Sequence, residues 1–260
     1  MSIYVVSDLH GAPDDLVKAV PEGATLLLLG DLINFIDYTS MTGILTEVFS
    51  VEAVEKVIRL RAEGQFELVR QAMVERTAGR EDEVRAEIGR RVREQYDAVF
   101  SVFPDPTYLV LGNVDNPALV SHCLSSSPAV RDADARVIIL DGERFGFVGG
   151  ALPTPLNVAG EITEEHMREK VESLGPVDVL CSHIPPAVPD LCFDTLAGKA
   201  ERGSVDLLEY IEEYQPRRAY FGHVHQPLLS SMHIGGTLCI NVGYFRSTKR
   251  AFPHRKEERV

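Results

Sequence analysis

The chain has 260 residues, 45% hydrophobic and 25% charged, an ordinary globular balance that excludes a disordered or fibrous architecture and, at roughly 100–200 residues per domain, allows one large domain or two small ones. Its formal net charge of -13 repels polyanions and argues against a general DNA or RNA binder. Cys123, Cys181, Cys192 and Cys239 form no CxxC pair and read as buried reduced thiols; with no apolar run near the roughly 18 residues of a membrane span and no basic-apolar leader before MSIYVVSD, we expect a cytoplasmic protein without membrane contact.

The first two strands are IYVVS (Ile3 to Ser7) and TLLLLG (Thr25 to Gly30), β-branched and aliphatic runs of buried-strand length that end in small or polar loop residues. From about Ile44 to Phe100 charges of both signs alternate with apolar residues at helical spacing. Val54, Ile58, Phe66, Val69 and Met73 suggest one helix; Val84, Ile88, Val92, Tyr96 and Val99 line a second. The TAGR stretch, Thr77 to Arg80, is the turn between them, and Pro104 and Pro106 end the second. We read 44–103 as a helical hairpin inserted into a single domain spanning 1–260, where it serves as packing over the core, as a lid or as a homodimer surface. Strands resume with TYLVLG (Thr107 to Gly112), RVIIL, FGFVGG, VDVLCS, RAYFG and TLCIN. Helices alternate with them: Thr163 to Leu174 is acidic in its first turn, and in Ser204 to Tyr214 the serine caps free amides while Pro216 stops further winding. The alternation gives an α/β (α+β) class. The ending, Lys249 to Val260, reads as a frayed surface segment without function.

Five polar clusters each follow a strand-like run: SDLHG (Ser7 to Gly11), GD (Gly30, Asp31), GNVD (Gly112 to Asp115), SH (Ser182, His183) and GHVH (Gly222 to His225). Loops after strands are where α/β sheets keep their sites. In DLH and HVH the candidate ligands stand at i and i+2, which in an extended chain sends both side chains to one face and lets one strand end offer two donors. Carboxylate and amide oxygens beside imidazole nitrogens suit Mn, Fe or Zn better than Ca or Mg alone. A carboxylate such as Asp31 can bridge two cations, and two cations can acidify water and neutralise a phosphoryl transition state, which also explains how an acidic protein binds an anion. Each signal alone is weak, because Asp after Gly is commonly a turn residue; the ordered set of all five is the signal. His122, His166, His233 and His254 lack such a context and read as structural histidines.

This ordered pattern resembles that of the calcineurin-like metallophosphoesterase family: DxH, GD, GNH(D/E), H and GHxH. GGALPTPLNVAGEITEE, SHIPP and ERGSVDLLEYIEEYQPRRAYFGHVHQP are similar to segments of its Icc-like branch. The resemblance implies a four-layer sandwich of two mixed β-sheets flanked by helices, with the helical hairpin inserted. It implies two divalent metal ions, Mn first and Fe, Zn, Co or Ni as alternatives. Asp8, His10, Asp31 and His225 would hold one and Asp31, Asn113, His183 and His223 the other, with Asp31 and a hydroxide bridging and the hydroxide as nucleophile on a small phosphodiester. Asp31, Asn113, His183 and Asp115 are the candidate catalytic residues.

One departure matters: Val114 stands where the family commonly has the histidine that assists the leaving oxygen, and valine has no donor. Monoesters with poor leaving groups should suffer most, which favours a phosphodiesterase over a phosphomonoesterase or protein phosphatase; a non-catalytic scaffold would not need the full ligand set. Asp115 is either a substitute acid or a carboxylate that orients the loop. Thr154 and Arg202 lie in segments similar to family loops near the substrate, and Arg202 is either a phosphate grip or a solvated charge.

Overall fold

Every apolar run named above becomes a strand. A computed structural model of the chain describes residues 2–37, 39–155 and 158–256. In chain order the elements begin with β1 (Ile3–Val6), α1 (Pro13–Ala19) and β2 (Thr25–Leu28), followed by α2 (Ile44–Val48), α3 (Val51–Ala62), α4 (Phe66–Thr77) and α5 (Glu81–Phe100). Then come β3 (Thr107–Leu109), α6 (Pro117–Ser126), β4 (Val130–Asp132), β5 (Arg136–Leu140), β6 (Glu143–Val148), α7 (Glu164–Ser173), β7 (Val179–Ser182) and α8 (Pro189–Cys192). The last are β8 (Phe193–Asp194), β9 (Lys199–Ala200), α9 (Val205–Tyr214), β10 (Arg218–Phe221), β11 (Ser231–Ile234), β12 (Thr237–Asn241), α10 (Phe245–Thr248) and β13 (Phe252–His254). The chain divides into two units, one built from the segments up to Leu32 and from Ala98 onward, the other from Ile33–Asp97.

The first unit holds two large mixed sheets, ordered β13-β1-β2-β3-β4 and β11-β12-β10-β7-β6-β5, and a small β8-β9 pair. Both large sheets are parallel in the middle, and the antiparallel pairs are β13 with β1, β11 with β12 and β5 with β6. Period-2 alternation sorts their side chains into two layers. Val5, Leu27, Leu29, Phe145, Phe147, Cys181, Tyr220 and Ile240 share one buried cluster, which brings residues of both sheets together. Val148, Leu180, Ala219, Phe221 and Cys239 share a second with Met167 and Val171 of α7 and Leu207 and Ile211 of α9. Burying each large apolar side chain contributes roughly 1.5–3 kcal/mol, so these two layers are the main source of cohesion. The four cysteines are buried, and none is in a disulfide among the described residues.

The helix starts are those the sequence marks. Thr163 accepts the His166 amide and Ser204 that of Leu207, caps worth about 1 kcal/mol each. At the far end of α9, Gln215 adopts a left-handed conformation (φ 48°) and closes the helix one residue before Pro216. Among the described residues no helix is long and apolar enough to cross a membrane.

The segment expected as a two-helix hairpin holds four helices. The apolar spacing from Val54 to Met73 runs through Gly64, which takes φ 70°, and the Gln65 amide reaches back to Leu60 O at 2.8 Å; a left-handed glycine of this kind terminates a helix, so α3 and α4 are separate. Thr77 to Arg80 is the expected turn into α5. On α5 the expected face is the inner one, with Val84, Val92, Tyr96 and Val99 buried. On α4 only Ala72 is buried, while Phe66, Leu68 and Val74 are exposed.

The C-terminal segment is not frayed where it is described; residues 257–260 lie outside the described residues. Ile3 pairs with His254 and Val5 with Phe252. His254 Nε2 lies 3.0 Å from Glu143 Oε2 and its Nδ1 3.0 Å from Tyr220 Oη. A carboxylate only accepts, so Nε2 carries the proton and Nδ1 accepts from the tyrosine hydroxyl. Arg217 Nη2 donates to the other Glu143 oxygen at 2.5 Å. Replacing His254→Ala strips one partner each from Tyr220 and Glu143, and we expect a loss of about 1–3 kcal/mol, read from urea denaturation; an unchanged midpoint would show that the network contributes nothing.

Candidate metal centre

The polar clusters all leave the C-terminal ends of parallel strands. Asp8 and His10 follow β1, Asp31 follows β2, Asn113 follows β3, His183 follows β7, and His223 and His225 follow β10, so both sheets contribute, as ligand crevices of α/β sheets do. The local conformation differs from the extended one expected for the DLH and HVH spacings. Asp8 (φ 56°), His10 (φ 42°), Asp31 (φ 56°) and His223 (φ 66°) are all left-handed, a conformation that costs a non-glycine residue about 1–3 kcal/mol and clusters at functional sites. Sharp turns, rather than strand pleats, aim these ligands.

The sequence-derived ligands converge in two groups. Asp8, His10 and His225 have donor atoms within 4.8 Å of one another, and so do Asp31, His183 and His223. Asp31 faces both: its Oδ2 is 3.6 Å from His10 Nε2 and its Oδ1 3.6 Å from His183 Nε2. Asn113 Oδ1 lies 3.1 Å from His183 Nε2 and 2.9 Å from His223 Nδ1. His122, His166, His233 and His254 belong to neither group.

The donors fit a cation. His183 Nδ1 lies 2.7 Å from Leu29 O and donates its proton there, which in a neutral ring leaves the Nε2 lone pair facing the Asn113 oxygen; a histidine so anchored is oriented for a metal. Asp8 Oδ2 accepts the His223 amide at 2.9 Å, but Asp8 Oδ1 is buried with no hydrogen-bond partner, a costly arrangement unless a cation takes the lone pair. Electrostatics agree. Burial raises the Asp31 carboxyl and the nearby Asp8 charge raises it further, against His183. Burial by itself would raise Asp8 too, but His225, His183 and His10 outweigh it and hold the group below the usual range. His223 is pushed down to about 3 by burial and by the field of His183. These residues fit two divalent ions, with oxygen and imidazole donors of the kind Mn, Fe and Zn accept.

Asp115 is fully buried and accepts three main-chain amides: Asp31 N–H and Gly112 N–H on Oδ2, Leu32 N–H on Oδ1, each at 2.9 Å. Burial, then the Asp31 charge, pushes its carboxyl up to about 6. Its oxygens are occupied by amides of the loops that carry Asp31 and Asn113, the arrangement of a carboxylate that orients a loop. Arg202 Nη1 donates to Pro153 O at 2.8 Å and Nη2 to Glu164 Oε1 at 2.5 Å; the guanidinium braces a loop and is not an open phosphate fork. Thr154 Oγ1 lies 2.5 Å from Glu161 Oε1 in that same loop, whose Gly160 amide donates to Asn113 O at 2.9 Å.

Sequence reasoning missed Asn241, Tyr244 and Arg246. The Asn241 side-chain amide donates to Val224 O at 2.9 Å, holding the GHVH loop, and the other two lie against the Asp8 group. The available signal was a polar-glycine loop, NVG, after the strand TLCIN, the same grammar as the other clusters.

A family model described as calcineurin-like phosphoesterase matches residues 1–227. Among solved structures, one crystal structure shares 16% identity with a TM-score of 0.59 over 98% of each chain. The protein TT1561 of Thermus thermophilus shares 14% with a TM-score of 0.52 over 97% of each. Identities this low speak for the fold alone. No curated protein matches the chain.

Close packing supplies a test of the centre. A Cβ on Gly112 would lie 2.1 Å from Asp31 Oδ1, 2.6 Å from the Asp31 main-chain N and 2.6 Å from His183 Cε1. Gly112→Ala should therefore weaken manganese binding by about 10–100-fold in calorimetric titration, with circular dichroism unchanged; binding at wild-type strength would contradict this placement of the ligands.

Proposed function

This chain belongs to the calcineurin-like phosphoesterase family, and we propose that within it the chain is a two-metal hydrolase of small phosphodiesters in the Icc-like branch. The observation that carries the reading is Asp31, whose two oxygens face different donor groups. When bound, two cations there acidify water and neutralise charge on a phosphoryl group in flight. Manganese is our first choice, on the mixture of hard oxygen and imidazole donors.

The chain's own residues do the positioning. The Val114 amide donates to Asp31 Oδ1 at 3.0 Å and keeps the carboxylate turned toward both groups. Leu29 O fixes the His183 tautomer, and Asp115 ties the Asp31 and Asn113 loops together through their amides. The Val114 side chain supplies no proton to a leaving oxygen. A monoester with a poor leaving group needs that proton most, so the missing donor favours diesters.

Metal-stripped protein reloaded with manganese should cleave bis(p-nitrophenyl) phosphate faster than p-nitrophenyl phosphate, and Asp31→Asn should lower the diester rate by more than the roughly 10–100-fold that loss of an outer-shell partner costs. A preference for the monoester would overturn the diester reading. Val114→His restores a donor, and since general acids typically contribute 10²–10⁴-fold it should raise the monoester-to-diester rate ratio by about tenfold or more; a ratio that does not move would show that this position does not select the ester.

A further inference from the structure

We infer that Tyr244 and Arg246 form a positioning element for the Asp8, His10 and His225 group, acting on that group and not on the other; this rests on the two-metal reading above. The Tyr244 ring lies parallel to the His225 imidazole, centroids 3.9 Å apart at an interplanar angle of 1°. The same ring meets His10 edge-on, at 5.4 Å and 83°, while the two imidazoles stand 5.2 Å apart at 81°. One buried aromatic side chain therefore forms a shared wall for both histidines. Aromatic faces and edges attract in these arrangements, so the contact selects orientations as well as excluding others.

The backbone of the same segment holds the turn that carries Asp8 and His10. Phe245 N–H donates to Ser7 O at 3.2 Å and Arg246 N–H to Asp8 O at 3.3 Å. Arg246 Nη1 donates to His10 O at 2.7 Å, a charge-assisted bond on the carbonyl of a residue held at φ 42°. Segment 244–246 thus fixes the main chain of this turn and the rings that project from it and from His225. The other group has a separate device, the bond from His183 Nδ1 to Leu29 O. Each group thus has a support of its own, and this gives the inference a signature.

The measurement is calorimetric titration of metal-stripped, folded protein with manganese chloride, which reads each affinity without reference to catalysis. Wild type should take up two ions. Tyr244→Leu should bind one ion as before and the other about 10–100-fold more weakly, the usual effect of removing a group that orients a ligand, while Tyr244→Phe keeps the ring and should match wild type within about threefold. Should Tyr244→Leu fail to fold, Arg246→Met keeps the main chain, removes the bond to the His10 carbonyl and should weaken one of the two sites alone. Unchanged affinities in the variants that fold, or equal weakening of both sites, would overturn the inference while leaving the metal centre standing. Wild-type protein that takes up no manganese would overturn the metal centre itself, and the inference with it.

Discussion

Side chains from two sheets meet at this centre because main chain of the second sheet packs directly against side chains of the first. Gly222, at the end of a strand in the second sheet, stands directly before His223, and a Cβ there would fall 1.9 Å from Ser7 Oγ and 2.3 Å from Asp8 Oδ2 of the first sheet. The same order, glycine and then ligand, holds at Gly30–Asp31 and Gly112–Asn113. Within each sheet, backbone bonds between neighbouring parallel strands continue into the ligand loops: Asp8 N–H to Gly30 O and His10 N–H to Asp31 O in the first, Gly222 N–H to His183 O in the second. Without that approach the donors would ring a hole too wide for an ion.

Close approach brings an electrostatic problem with it. Asp8, Asp31 and Asp115 are all buried, and buried carboxylates must be paired or hydrogen-bonded. The fold answers differently for each. Asp115 is saturated by three amides, so its charge is spent on holding two loops in register. Asp31 has one amide, from Val114, and Asp8 has one, from His223, with its Oδ1 left bare. Carboxylates of one residue type thus acquire separate roles from the number of amides that reach them, and those left short of donors are the ones arranged for cations.

Much of this was legible in the sequence, because strands and metal loops write themselves in short local patterns. IYVV, TLLL, RVIIL and TLCIN are apolar enough to be strands under any packing, and a ligand set that recurs at strand ends is visible without coordinates. Other parts were not legible, for identifiable reasons. β4, β11 and β13 are short and carry VRD, SMHI and FPH, so pairing with neighbours, not their own composition, makes them strands. The i, i+2 spacing picks out Asp8 and His10, whose donor atoms do come together with those of His225, but left-handed turns and not an extended strand aim them. The helical period ran on through Gly64 because periodicity does not register a single residue at positive φ. Tyr244 stands outside the five polar clusters, and its ring contacts with His225 and His10 give it a place.

The second sheet offers a control on reading function from polar side chains. At its other end, where β6 and β10 begin, Glu143, Arg217, His254 and Tyr220 form a network of the residue types that also build active sites. Every contact there is answered: Glu143 receives Arg217 on one oxygen and His254 on the other, and the second histidine nitrogen receives the tyrosine hydroxyl. Such a closed network rigidifies and needs nothing further. At the C-terminal ends of the parallel strands β1, β3 and β7, the lone pairs of His183 and Asn113 face each other and Asp8 Oδ1 has no hydrogen-bond partner. Residue type does not separate the two ends, and burial does not either. What separates them is whether hydrogen bonding is complete, and the end where it is incomplete is the one shaped to receive something the chain does not itself provide.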